Sequence, residues 1–245
     1  MKLILLLAMP KAGLILRYEP FLYWGGGKIK TISYIDGFNL YYNTFKGKRN
    51  TDNIRYKWLD LEKLIPRVVS KKYKKNTFLK TKYYTAHVSG KEDPGKVERQ
   101  NVYLNTLKNF CQQTEIYYGN YIVKESYRTK VHNFFLFPPK VKVFLPEEKG
   151  SDVNLASHML LDAFQNEYEV AVLVSNDSDL EEPMRIVTEV FNKKIILVQP
   201  KHVNTSKSLI KYSFDVLRFD TNDLKECQLP LDIPYTKYHK PNEWK

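Results

Sequence analysis

The run Val170-Ala171-Val172-Leu173-Val174 is apolar at every position and closed off by polar residues on both sides. A strand with one wet face alternates, so a strand without alternation is covered on both faces, as in a parallel sheet held between helices. The surrounding pattern agrees. Residues 151–164 repeat apolar side chains at helical spacing through Val153, Leu155, Ala156, Met159, Leu160 and Ala163. Beyond the run, 179–191 reads as a helix, 194–198 as a strand, 206–212 as a helix and 216–219 as a short strand. Towards the N-terminus, 29–35 reads as a strand and 58–69 as a helix through Trp58, Leu61, Leu64, Ile65 and Val68, with Pro66 its weak point. A strand at 83–88, a helix at 96–110 behind Asp93-Pro94-Gly95 and a strand at 116–118 continue the rhythm. This alternation specifies an α/β fold, a doubly wound and mainly parallel sheet with helices on both faces.

Residues 121–146 break the alternation and read as a β-hairpin insertion. They carry Tyr127, Arg128, Lys130, Phe134, Phe135 and Phe137, then Pro138-Pro139 and a strand-like stretch at 141–145. Aromatic faces interleaved with cations are what single-stranded nucleic acid binds. The phenylalanines are better explained as a cap on the sheet edge, which leaves Tyr127, Arg128 and Lys130 as the candidates for nucleic-acid binding.

A length of 245 residues with 43% apolar and 27% charged content is enough for one α/β domain with a full core. The formal charge of +12 favours encounter with polyanions. The surplus concentrates between residues 46 and 82, where thirteen Lys and Arg face only Asp52, Asp60 and Glu62. Lys71, Lys72, Lys74 and Lys75 in that stretch are candidates for a phosphate-tracking face. Cys111 and Cys227 stand alone, without CxxC spacing, so neither a disulfide framework nor zinc is expected and a cytoplasmic setting is. The apolar run from Leu3 to Met9 is cut by Pro10-Lys11, too short to span a bilayer, and Gly25-Gly26-Gly27 precedes the first convincing strand. Residues 1–27 are therefore read as an extension outside the fold, 28–226 as the domain and 227–245 as a C-terminal tail. Nucleic acid is the expected partner; a membrane is not, and a homodimer is left open.

In an open α/β sheet the ligand crevice lies beyond the carboxyl ends of the strands, where strand order reverses. The first strand ends Ile35-Asp36-Gly37-Phe38-Asn39, with Gly37 read as freeing the turn, and the apolar run ends Ser175-Asn176-Asp177-Ser178-Asp179. Asp152 opens the 151–164 helix and points from its beginning towards the same rim. Carboxylates held together raise one another's pKa, which a divalent cation relieves, and an oxygen-only set suits Mg²⁺ or Mn²⁺. Singly, each aspartate has a plainer role at a helix start: Asp152 on the dipole, Ser178 or Asp179 as a cap with Glu181 at capping-box spacing. Together, Asp36, Asp152, Asp177 and Asp179 read as a metal site. Lys149 is placed to contact a phosphate, whereas His87 and His158 read as packing or surface residues.

Three blocks, Tyr34-Ile35-Asp36-Gly37-Phe38-Asn39-Leu40, Glu148-Lys149-Gly150-Ser151-Asp152-Val153 and Ser175-Asn176-Asp177-Ser178-Asp179-Leu180, resemble the NYN domains of the PIN-like nuclease superfamily, especially the LabA-like branch. The resemblance runs from about Lys30 to about Leu224. It implies a ribonuclease fold with an Mg²⁺ or Mn²⁺ site formed by Asp36, Asp152, Asp177 and Asp179, with Asn39 and Ser175 as supporting groups. Such proteins commonly read Ser-Gly-Asp-Ser-Asp-Phe in the third block. Here Asn176 and Leu180 replace glycine and phenylalanine, and Asn is expected to keep a left-handed turn. Two readings compete: a nucleic-acid-binding or regulatory module with a vestigial site, and a phosphotransfer domain, whose usual Asp-x-Asp on the first strand is absent.

Overall fold

The computed structural model describes residues 28–46, 51–90, 93–129 and 140–245. The chain runs β1 (Ile29–Asp36), α1 (Gly37–Phe45), a 3₁₀ turn (Thr51–Tyr56), α2 (Leu61–Ser70), β2 (Asn76–Thr85), α3 (Pro94–Phe110) and β3 (Thr114–Tyr118). Then come β4 (Asn120–Thr129), β5 (Lys140–Lys149), α4 (Ser151–Phe164), β6 (Val170–Val174), α5 (Glu181–Arg185) with a π turn (Ile186–Val190), and β7 (Lys194–Pro200). The chain closes with α6 (Lys207–Lys211), β8 (Asp215–Phe219), α7 (Thr221–Glu226) and a last 3₁₀ turn (Asn242–Trp244). Six strands form one parallel sheet in the order β3-β2-β1-β6-β7-β8, so the order reverses between β1 and β6. β4 and β5 form a separate antiparallel ribbon, the expected hairpin.

The continuous apolar run makes sense in this frame. Val170, Val172 and Val174 of β6 face a core shared with Leu40 of α1, Leu64 of α2, Leu107 of α3 and Leu224 of α7. Ala171 and Leu173 face the opposite core, with Leu155 and Met159 of α4, Met184 of α5 and Leu209 of α6. Period-two alternation thus feeds two hydrophobic layers from one strand.

Several elements depart from the sequence pattern. β2 spans Asn76–Thr85 rather than 83–88 because its buried half includes Lys82, whose ammonium meets Asp162 at 2.7 Å. Tyr34 also donates to Asp162, so the α4 face carries a buried charge where hydrophobic spacing pointed to Val153, which is 67% exposed. α1 and α7 were not anticipated. Each begins at an aspartate N-cap, Asp36 and Asp220, and is too short for periodicity to show.

Residues 227–245, read above as a tail, pack onto the domain. Cys227, Leu229, Ile233 and Trp244 are buried in the first core, Gln228 bridges to Leu59, and the Trp58 indole N–H donates to Pro230 O at 2.7 Å. Both cysteines are free and buried. Among the described residues no helix is long and apolar enough to cross a membrane. The expected extension at residues 1–27 lies outside the described residues.

Candidate active site

The reversal point places the end of β1 beside the end of β6. Asp36 is 5% exposed and both its carboxylate oxygens are engaged: Oδ1 accepts from Asn39 N–H at 2.9 Å, Oδ2 from Ser175 Oγ–H at 3.0 Å. The first bond is also the N-cap of α1, so the carboxylate does helix work while lying in the crevice. Ser175 Oγ in turn accepts from Asp177 N–H at 3.2 Å, and Asp177 Oδ1 from Asp179 N–H at 3.0 Å. Asp177, not Ser178 or Asp179, is therefore the cap of the short 3₁₀ turn Ser178–Leu180.

Burial pushes the Asp36 carboxyl up to about 7, with the negative charges of Asp152 and Asp177 adding to it and the bonds from Asn39 and Ser175 opposing it. Asp152 lies in the first turn of α4, after Gly150, whose φ of 94° turns the chain from β5 into the helix. The structure thus brings Asp36, Asp152 and Asp177 into one electrostatic neighbourhood, with the exposed Asp179 attached through its backbone to Asp177. Among the described residues no three His, Cys, Asp or Glu side chains stand close enough to hold a metal ion as placed. The donor set itself fits a hard divalent cation: it is oxygen-only, and Asp36 is disfavoured as an anion by burial and by two neighbouring charges that a cation would offset.

Two residues around these carboxylates were misjudged from sequence. Asn176 is absent from the residues with positive φ, so it does not hold a left-handed turn. It is a cross-link instead: its N–H donates to Asn39 Oδ1 at 3.0 Å, its side-chain oxygen accepts from Gln199 and Ser206, and its amide donates to Asn204 O. Glycine could not tie the β6, β7 and 204–206 loops together in this way. Gly37 likewise has no positive φ; a Cβ there would lie 2.6 Å from the Tyr83 hydroxyl and 2.7 Å from Tyr84 O. Close approach of β2, not turn freedom, requires glycine. Gly37→Ala is expected to lower stability by roughly 1–3 kcal/mol, because the Tyr84 carbonyl cannot rotate away. Urea unfolding would measure it, and a change below a few tenths would contradict the contact.

The remaining candidates disperse. Lys71 and Lys72 follow α2 and pair with Asp223 of α7 at 2.6 Å and Asp215 of β8 at 2.7 Å. Lys75 O receives the N–H of Ile29 at the start of β1, so Lys74 and Lys75 lie a strand length, roughly 23 Å, from Asp36. This basic run is not part of the acidic crevice. Lys149 ends β5, at the foot of the ribbon. Tyr127 and Arg128 are exposed along β4, with Tyr127 67% exposed. Lys130 and Phe134 to Phe137 lie outside the described residues. His158 packs instead of ligating: its Nδ1 meets Tyr84 Oη at 3.1 Å, its ring stacks edge-on to Tyr117, and burial lowers its pKa.

The chain is 27% identical over 242 residues to the 6-hydroxy-3-succinoylpyridine 3-monooxygenase HspA of Pseudomonas putida, an alignment covering 88% of this chain and 75% of that protein. A solved structure of a protein of unknown function from Vibrio parahaemolyticus is similar with a TM-score of 0.47 at 15% identity, covering 82% of this chain and 98% of that one. The model of the NYN domain matches residues 30–217, which include nearly all of β1, the β6 loop and Asp36, Asp152, Asp177 and Asp179, and the chain belongs to the NYN domain family, whose fold is nuclease-like.

Proposed function

We propose that this protein is an Mg²⁺- or Mn²⁺-dependent ribonuclease of the LabA-like kind, acting in the cytoplasm on single-stranded or structured RNA, with Asp36, Asp152, Asp177 and Asp179 holding the cation. The observation that carries the reading is the meeting of two acidic strand ends across the β1/β6 reversal, with Asp36 pushed up to about 7 by burial and by Asp152 and Asp177. When bound, the cation would polarise the phosphate and acidify water. The chain's own groups position the acid: Asn39 and Ser175 each fix one oxygen of Asp36, and Asn176 locks the loop carrying Asp177. Lys149, Tyr127 and Arg128 line the ribbon that would carry the RNA strand. Ser175 is no nucleophile, because it is buried and its hydroxyl is spent between Asp36 and Asp177.

Attack on phosphorus therefore falls to water, which needs no RNA 2′-hydroxyl. The expected products carry 5′-phosphate and 3′-hydroxyl ends, and activity is expected to vanish in EDTA and return with Mn²⁺ or Mg²⁺. End-group analysis would be run on purified protein beside Asp177→Asn. Cyclic 2′,3′-phosphate ends made by the wild type alone would overturn the mechanism. Tight RNA binding without cleavage under any metal would favour the regulatory module.

A second reading is favoured by the Pseudomonas putida relative, whose name denotes oxygenation of a pyridine ring, and by an aromatic-walled cavity beside Asp36. Dioxygen consumption dependent on both a hydroxypyridine and a two-electron donor would select it.

A further inference from the structure

The cavity lies between α1, β2, α3 and the C-terminal turn, against the acidic crevice. Phe38, Tyr41, Tyr83, Tyr103 and Trp244 form its walls, and the buried Leu104 is also part of its lining. Its volume of about 130 Å³ decides what it can take. A cavity of about 150 Å³ admits a benzene ring, so a single six-membered ring is the unit that matches this one, and a fused bicycle would extend beyond its walls. Its lining also carries positive charge: Lys57, Lys96 and Arg99 contribute to it, and among the described residues no acidic side chain does. Arg99 is already paired with Asp93 and Glu243. Lys57 donates to Tyr41 Oη at 3.2 Å and lies over the Tyr41 and Trp244 rings, and among the described residues no acid pairs with it. Lys96 has no ion pair among the described residues and is partly exposed. Gly37 lines the same space, so a ring seated there lies one residue from Asp36.

We propose that this cavity seats one six-membered heteroaromatic ring bearing an anionic group, the ring against the tyrosines and the anion at Lys57 and Lys96. Aromatic walls favour a flat ring by stacking, and the two ammonium groups supply charge complementarity that apolar packing alone would not require. The same chemistry belongs to a pyrimidine nucleotide, as part of RNA, and to a free hydroxypyridine carboxylate. The site is a binding claim and stands whether or not the protein cleaves RNA.

The test is calorimetric titration in EDTA, where no turnover occurs, using uridine 5′-monophosphate, uridine, adenosine 5′-monophosphate and 6-hydroxynicotinate. At least one single-ring anion is expected to bind more tightly than adenosine 5′-monophosphate, whose bicyclic base exceeds the cavity. Lys96→Glu, on a partly exposed side chain, is expected to weaken that anion by about tenfold or more while leaving neutral uridine unchanged. Leu104→Phe, which fills the cavity, is expected to weaken every single-ring probe. Preference for uridine 5′-monophosphate would assign the site to a base of RNA; preference for 6-hydroxynicotinate would assign it to a free ring. Failure of both anions to bind would overturn the proposal. So would equal binding of the purine nucleotide, or unchanged affinity in Lys96→Glu. An inactive nuclease with these binding results intact would remove the ribonuclease reading and leave the ring site standing.

Discussion

Replacing Asp36 with Asn is expected to abolish hydrolysis of RNA and, in the absence of divalent cations, to make the protein more stable above neutral pH. The second half follows from the sign of its titration. Buried in the fold, the carboxyl has a pKa of about 7 against an ordinary 3.8, so the folded state holds its proton more tightly than the unfolded chain. Below about pH 4 both states are protonated and the group costs nothing. Between pH 4 and 7 stability falls as the unfolded chain ionises first, and above 7 the full cost stands, on the order of 4 kcal/mol for about three pKa units. Asn removes the charge but turns an amide N–H₂ towards the donors of Asn39 or Ser175, so the net gain is expected to be smaller, about 2 kcal/mol at pH 8. Urea midpoints in EDTA at pH 4 and pH 8 would read it. A wild type more stable than Asp36→Asn at pH 8 would sink the account. Mn²⁺ is expected to raise the melting temperature of the wild type and not of the variant, and equal shifts would remove Asp36 from the proposed metal site.

Asp162→Ala is expected to cost about 3–5 kcal/mol, the largest single loss anticipated in the fold. Asp162 is the counter-charge of Lys82, and both side chains are nearly inaccessible. It also accepts from Tyr34, whose hydroxyl is held well above the usual tyrosine range, by burial first and then by neighbouring Tyr168 and Asp162. Among the described residues, truncation leaves the Lys82 ammonium buried without an ion-pair partner and the Tyr34 phenol buried without its acceptor. The double variant Lys82→Met with Asp162→Leu is expected to recover most of the loss, because it removes the desolvated charges together. Chemical unfolding of the three variants would measure this. A loss below about 1 kcal/mol in Asp162→Ala would show that the pair is hydrated. Lys82 precedes Tyr83 and Tyr84, which press on Gly37, so the single variant is also expected to disturb the position of Asp36.

The doubly wound sheet was legible in the sequence because its central strand and longer helices carry periodicities that only two packed layers can satisfy. Val170 to Val174 without alternation required helices on both faces, and the hairpin declared itself by breaking the rhythm. Asp36 and Asp177 were legible for a similar reason, since a carboxylate directly after an apolar strand must lie at the carboxyl edge of a parallel sheet. Short elements were not legible: α1 and α7 hold nine and six residues and bury too few side chains for a pattern to emerge. Neither was anything that depends on pairing across the chain. Lys82 resembles a surface lysine until Asp162, eighty residues away, is brought to 2.7 Å. Lys71 and Lys72 resemble part of an RNA-binding face until Asp223 of α7 and Asp215 of β8 pair with them. Residues 227–245 resemble a tail until Trp244 closes a cavity against Tyr103 and Trp58. Local sequence determines backbone period and strand ends, because those depend on neighbouring residues. The neutralisation of a charge, the approach that forbids a Cβ at Gly37 and the closing of a cavity depend on atoms far apart in the chain, and only the tertiary structure decided them.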